Sequence, residues 1–196
     1  MRILLTAYGP FRDIKENIGG RVLDEIQKNW DDSTGALTTL KLPVEWQSAE
    51  AALTRTLTEF KPDVVVSLGH AEKYPAITVE TRYFNIAEGE DNRGETRDGE
   101  VISLGAKAFY NTNVNINELA RHLTENNIQA VLHSGKEGMS YLCNFTGYLV
   151  MRHASSRRKK KLLFLFLHLP PNIMPFPTLV KGVREVINFL VSETQS

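Results

Sequence analysis

The chain has 196 residues, enough to bury one substantial core, and a single domain over residues 1–196 is the expectation. Lys plus Arg number 23 and Asp plus Glu 23, so the formal net charge is zero and no global electrostatic argument favours nucleic acid or an anionic membrane as partner. One cysteine cannot build an internal disulfide framework, which points to a reducing compartment and hence the cytoplasm.

Arg2 to Tyr8 reads as a buried strand stopped by Gly9-Pro10, too early for the apolar core of a signal peptide. An amphipathic helix follows over roughly Gly20 to Lys28, with Val22, Leu23 and Ile26 on its apolar face. Leu37 to Val44 offers a second strand, and Ser48 to Phe60 a helix that Lys61-Pro62-Asp63 ends. Val64 to Leu68 is a continuous apolar run between Pro and Gly, the mark of a central strand covered on both faces. Ala76 to Phe84 alternates, so Glu80 projects away from Ile77 and Val79.

The charged, glycine-containing stretch Ala87 to Thr96 predicts a loop. A helix over about Asn115 to Glu125 leads to a strand from Gln129 to His133, and Ser140 to about Ala154 forms a second helix with Ser140 as its N-cap. Arg157 to Lys161 is a run of five cations without interleaved aromatics, which reads as a solvated connection and a poor nucleic-acid signature. Leu162 to Leu167 is another core strand, far below the ~18 apolar residues that span a bilayer. After Pro170-Pro171 a last helix covers about Leu179 to Val191. Alternating strands and helices imply an α/β chain, a three-layer α/β/α sandwich around a twisted, mostly parallel sheet in which the Glu80 strand could pair antiparallel.

Two chemistry-bearing residues converge on the carboxyl ends of strands, where open α/β sheets place their ligands. Cys143 falls in the first turn of its helix, where free backbone N–H groups and the positive dipole end favour thiolate. His168 ends the Leu162–Leu167 strand, and the helix between the two predicts a right-handed βαβ crossover with the Gln129–His133 strand parallel and nearby. An imidazole beside the thiol would activate the nucleophile and later protonate a leaving amine, with Glu80 holding the other ring nitrogen. Each residue also has an ordinary reading: free cysteines are commonly small buried hydrophobes, and strand-end histidines commonly structural. His70 and His133 also follow strands, so a three-histidine metal site with His168 is conceivable, but no ligand-pair spacing supports it. Dinucleotide, Walker and Gly-x-Ser-x-Gly patterns are missing from the chain.

These residues resemble the pyroglutamyl peptidase I family, the pyrrolidone-carboxylate peptidases. Thr6-Ala7-Tyr8-Gly9-Pro10-Phe11 is similar to the family's Thr-Gly-Phe-x-Pro-Phe, and Leu42-Pro43-Val44 and Lys61-Pro62-Asp63 match its Leu-Pro-Val and Lys-Pro-Asp. Ala76 to Glu80 with Asn85 beyond it, Asp91-Asn92-Arg93-Gly94, Tyr141-Leu142-Cys143-Asn144 and Leu167-His168-Leu169-Pro170 resemble further family strings in the same order. The resemblance implies a cysteine-peptidase triad of Cys143, His168 and Glu80, with Tyr8, Phe11 and Asn85 in the substrate site. It also implies release of N-terminal pyroglutamyl groups through an acyl-enzyme, no metal or cofactor, a peptide substrate, and a dimer or tetramer.

Three departures touch the substrate side. Lys73-Tyr74 replaces the family's Gly-Arg, Glu88-Gly89-Glu90 stands where an arginine usually precedes Asp-Asn-x-Gly, and Gly138-Met139 replaces Ala-Gly before the cysteine. Arg82 and Arg93 are the nearby guanidinium groups that could compensate. Two other readings follow: the same triad acting on another lactam or N-acyl amide, and a binding protein that keeps the fold without turnover.

Overall fold

The apolar runs that the sequence marks as covered on both faces form the middle of a six-stranded sheet. The computed structural model describes residues 1–135, 140–157 and 160–195. In chain order the elements are β1 (Arg2–Tyr8), α1 (Ile18–Lys28), β2 (Ala36–Leu42), α2 (Trp46–Phe60), β3 (Val64–His70), β4 (Ile77–Glu80), β5 (Arg82–Phe84), β6 (Ala87–Glu90), β7 (Thr96–Glu100), β8 (Phe109–Asn111), α3 (Ile116–Glu125), β9 (Ala130–His133), α4 (Leu142–Ser156), β10 (Leu163–Leu169) and α5 (Phe176–Glu193). The sheet order is β2-β1-β3-β10-β4-β9.

β2, β1, β3 and β10 are parallel, β4 runs antiparallel to β10, and β9 is parallel to β4. The sheet is therefore mixed and mostly parallel, as expected. The crossover expectation needs correction: α4 joins β9 and β10, which point in opposite directions because the antiparallel β4 lies between them.

Side chains alternate across the strands, so β10 sends Leu163, Leu165 and Leu167 to one face and Phe164 and Phe166 to the other. The first face meets α1, α3 and α5 through Val22, Leu119 and Val183; the second meets α2 and α4 through Leu53 and Phe145. Each such buried side chain contributes about 1.5–3 kcal/mol. His168 continues the Phe164–Phe166 face, beneath α4.

Element ends are set by distant partners. The helix expected from Ser48 starts at Trp46, because the Asp91 carboxylate accepts the Trp46 N–H at 3.0 Å. The helix expected from Gly20 starts at Ile18, capped by Asn17, whose Oδ1 accepts from Gly19 N at 2.9 Å while its amide donates to Gly9 O at 3.2 Å. That second bond anchors the loop carrying Phe11.

The single strand expected over Ala76–Phe84 divides at Thr81. Thr81 N donates to His133 O at 2.7 Å, and the chain then leaves the main sheet so that β5 pairs with β8. Ala87–Thr96, expected as a loop, contributes β6 to a hairpin with β7. Its strands are polar because most of their side chains face solvent.

Candidate active site

Cys143 is the second residue of α4 and is half-buried. The N-cap position belongs to Tyr141, one residue later than expected, and carries no side-chain cap bond. Ser140 is engaged elsewhere: its hydroxyl donates to Glu88 Oε2 at 3.0 Å and its carbonyl accepts from Glu88 N at 2.9 Å. Asn144 fixes the helix start to the β5 segment. Its Oδ1 accepts from Phe84 N at 2.7 Å, and its Nδ2 donates to the carbonyls of Phe84 and Ile86 at 3.0 and 2.9 Å. Cys143 is thus held in a first helical turn, whose amides lack intrahelical acceptors.

His168 is buried on β10 and lines both cavities of the site together with Cys143. Its Nδ1 donates to Glu80 Oε1 at 2.9 Å. The register explains the approach: Glu80 lies opposite Phe166, so His168 is its diagonal neighbour on the same face. Burial lowers an imidazole pKa, but the hydrogen bonds and negative charges of Cys143 and Glu80 outweigh it and push His168 up to about 9. The ring fits only because residue 69 is glycine: a Cβ there would lie 2.8 Å from the Phe166 ring and 2.9 Å from His168 Cδ2.

Glu80 is 7% exposed and has a second imidazole partner, His133 Nδ1, at 2.8 Å from Oε2. The Tyr74 ring sits 5.4 Å from the His168 ring and 6.0 Å from the His133 ring. Burial, followed by the charges of Glu80 and Cys143, pushes the Tyr74 hydroxyl up to about 12, so it stays protonated at neutral pH. One of the sequence departures therefore lies directly against the site.

Two cavities meet at Cys143 and His168. The larger, about 110 Å³, is lined by Tyr8, Phe11, Asn17, Val44, Gly69, His70, Tyr141 and Leu142. The smaller, about 20 Å³, is lined by Glu80, Arg82, Tyr83, Phe84, Gly135 and Asn144. Tyr8 is fixed by bonds of its hydroxyl to Leu142 O and Thr146 Oγ1, both 2.6 Å. Burial, with the nearby Cys143 charge, raises its pKa well above the ordinary value.

Among the predicted substrate residues, Tyr8 and Phe11 line the larger cavity and Asn85 lines neither. The Asn85 amide is used on Ser103, donating to its carbonyl at 2.9 Å and accepting from its N–H at 2.8 Å. Asn17 and His70, not singled out for substrate, take wall positions instead; their only sequence signals are a helix cap and a strand-end histidine. The three-histidine arrangement does not form. His133 and His168 both turn Nδ1 to Glu80, His70 Nδ1 accepts from Ile18 N, and among the described residues no group of three His, Cys, Asp or Glu is arranged to hold a metal.

Of the two guanidinium groups expected to compensate, Arg82 lines the smaller cavity and Arg93 is exposed, paired with Glu45 at 2.9 Å. Gly138-Met139 lies outside the described residues. In the basic run, Arg157 donates to Pro62 O and Lys160 pairs with Asp63, while Arg158 and Lys159 lie outside the described residues. Among the described residues no helix is long and apolar enough to cross a membrane.

A thiol at a helix start, a buried imidazole and a carboxylate behind it can perform nucleophilic acyl transfer, the chemistry of cysteine peptidases. Comparison with known proteins assigns the family. A model described as pyroglutamyl peptidase matches residues 1–183. The pyrrolidone-carboxylate peptidase of Pyrococcus furiosus is 31% identical over 87% of this chain and 81% of its own. Pyrrolidone-carboxylate peptidase 1 of Saccharolobus solfataricus is 29% identical over 98% of this chain and 95% of its own. The structure of a mutant pyrrolidone carboxyl peptidase from Pyrococcus furiosus superposes with a TM-score of 0.89 at 25% identity, covering 98% of this chain and 99% of the other. The chain belongs to the pyroglutamyl peptidase family.

Proposed function

We propose that this chain is a cysteine exopeptidase that removes an N-terminal pyroglutamyl group, with Cys143 as nucleophile, His168 as acid and base, and Glu80 holding His168. The observation that carries the reading is the meeting of the Tyr8–Phe11 cavity with a thiol whose imidazole partner is buried against a carboxylate. A cavity of about 110 Å³ with aromatic walls suits a small lactam ring.

The lactam seats against Tyr8 and Phe11, and the Cys143 thiolate attacks the carbonyl joining the ring to the next residue. First-turn amides of α4 stabilise the oxyanion. The tetrahedral adduct collapses as the His168 imidazolium protonates the departing amine, leaving a thioester. His168, now neutral, takes a proton from water, which attacks the thioester and releases pyroglutamate and the thiolate. Glu80 holds the Nδ1 proton through both steps and stabilises the transient positive charge.

One domain over residues 1–196, a cytoplasmic location and a dimer or tetramer complete the proposal; the single thiol suits a reducing compartment. The decisive experiment is release of a chromogenic amine from a pyroglutamyl anilide. Wild type turns over, and Cys143→Ala loses roughly 10⁴-fold or more. Equal rates would remove Cys143 from the mechanism, and turnover of other N-acyl amides alone would reassign the substrate.

A further inference from the structure

We propose that His133 is a positioning residue for the Glu80–His168 pair, its imidazole holding the second carboxylate oxygen so that the first stays on His168. This rests on the catalytic reading of Cys143, His168 and Glu80 given above. His133 lies outside every string that carries the family resemblance, and its place in the site comes from sheet geometry alone.

β4 and β9 are parallel neighbours with Glu80 registered against His133, which brings the two side chains to one face. The Nδ1 of His133 stands 2.8 Å from Glu80 Oε2, while that of His168 stands 2.9 Å from Oε1. One carboxylate therefore receives an imidazole N–H on each oxygen. The terminal torsion of a glutamate is soft, and a carboxylate bonded on one side can swing. Bonded on both sides, it breaks one charge-assisted hydrogen bond to do so.

His133 is itself anchored next to its partner. Thr81, adjacent to Glu80, donates to His133 O through its backbone N–H at 2.7 Å and its hydroxyl at 3.0 Å. The titratable and charged groups facing this arrangement are Glu80 from β4, His168 from β10, Cys143 from α4, Tyr74 from the β3–β4 connection, and Arg82 and Tyr83 from β5. Tyr74 lies against both imidazoles.

The expected consequence of removing the clamp is a looser Glu80, a weaker hold on protonated His168 and a smaller neutral-pH population of the thiolate–imidazolium pair. The test uses His133→Ala and His133→Asn in the full chain. Asn keeps an N–H donor near the position of Nδ1 without the imidazole ring. Two readouts are measured against pH: steady-state hydrolysis of a pyroglutamyl anilide and the rate of Cys143 alkylation by iodoacetamide.

His133→Ala is expected to lower kcat about tenfold or more, with KM within about twofold, to move the alkaline limb of activity to lower pH and to slow alkylation near neutral pH by a similar factor. His133→Asn is expected to restore both rates to within about threefold of wild type. Wild-type rates in His133→Ala would overturn the proposal. An Asn variant as impaired as Ala would also overturn it, because ring packing rather than the N–H would then be the contribution. Should the wild type fail on the pyroglutamyl substrate yet alkylate rapidly, with His133→Ala slow, the substrate assignment falls and the clamp stands.

Discussion

Glu80→Gln isolates the carboxylate charge from the carboxylate shape. In the native site Glu80 accepts from His168 at 2.9 Å and from His133 at 2.8 Å, so a neutral amide of the same size removes the counter-charge and also places an NH₂ group against one imidazole N–H. Burial already opposes the protonated form of His168, and only Cys143 and Glu80 hold its pKa up to about 9. A hydrogen bond to a charged group is worth about 1.5–3 kcal/mol, which corresponds to about one to two pKa units. The alkaline limb of kcat/KM in the Gln variant is therefore expected near pH 7–8, roughly one to two units below wild type. From that shift the rate at pH 8 should fall about 2- to 10-fold. The assay is amine release from a pyroglutamyl anilide between pH 5 and 10, with circular dichroism to verify folding. An alkaline limb that stays at the wild-type pH in a folded Gln variant would refute the reasoning, since Glu80 would then not be holding the imidazolium charge.

The same raised pKa makes stability depend on pH. His168 keeps its proton up to about 9 in the folded chain and loses it near 6.5 when unfolded, so its stabilising contribution is complete below pH 6.5 and disappears as pH rises through 9. Thermal unfolding followed by circular dichroism should show Tm falling across that interval, with a flatter profile in Glu80→Gln; a flat wild-type profile would contradict it. Gly69→Ala would put a methyl group against the rings of Phe166 and His168, so kcat/KM should fall about 10- to 100-fold with a stability loss of about 1–3 kcal/mol, read from anilide kinetics and urea melts. Asn144→Ala leaves Phe84 N and the carbonyls of Phe84 and Ile86 without their side-chain partner, costing about 1–3 kcal/mol for each group left buried and unpaired. A urea midpoint unchanged in that variant would show that water replaces the amide at no cost.

The core strands and helices were legible because their periodicity is the physical cause of their burial: β3 and β10 are mostly apolar and almost wholly buried because helices cover both faces. Helix starts were less legible, since Trp46 is capped by Asp91 from another element and Ser140 serves Glu88 instead of α4. The break at Thr81 depends on bonds to His133 and Thr112, which no local pattern encodes. Strand direction failed where a strand later in space than in sequence intervened, as β4 does between β9 and β10. Cys143, His168 and Glu80 were readable as a set because strand ends and the first turn of a helix are where α/β sheets expose chemistry. Asn85 was not, because a polar side chain in the bend between β5 and β6 gives no sign that a loop carbonyl and amide at Ser103 will use it. His133 was visible only as a strand-end histidine; its pairing with Glu80 required the register.

The departures from the family pattern rearrange support around the site more than they alter the meeting of Cys143, His168 and Glu80. Glu88, in the segment where an arginine usually stands, holds Ser140 by side chain and backbone, and Tyr141 donates to Glu90 O at 2.9 Å, so the β6 segment grips the residues just before Cys143. Among the described residues lining the two cavities, Arg82 is the single guanidinium, and it is occupied by Asn111 Oδ1 at 2.9 Å and by the Phe109 ring at 4.8 Å. The positive charge available beside the Cys143 sulfur is then mainly the His168 imidazolium, with the start of α4 adding its dipole. On the proposed mechanism, control of the nucleophile is concentrated in the carboxylate that keeps His168 charged. Changes at Glu80 should therefore cost more activity than changes at Arg82, although both residues border the same small cavity.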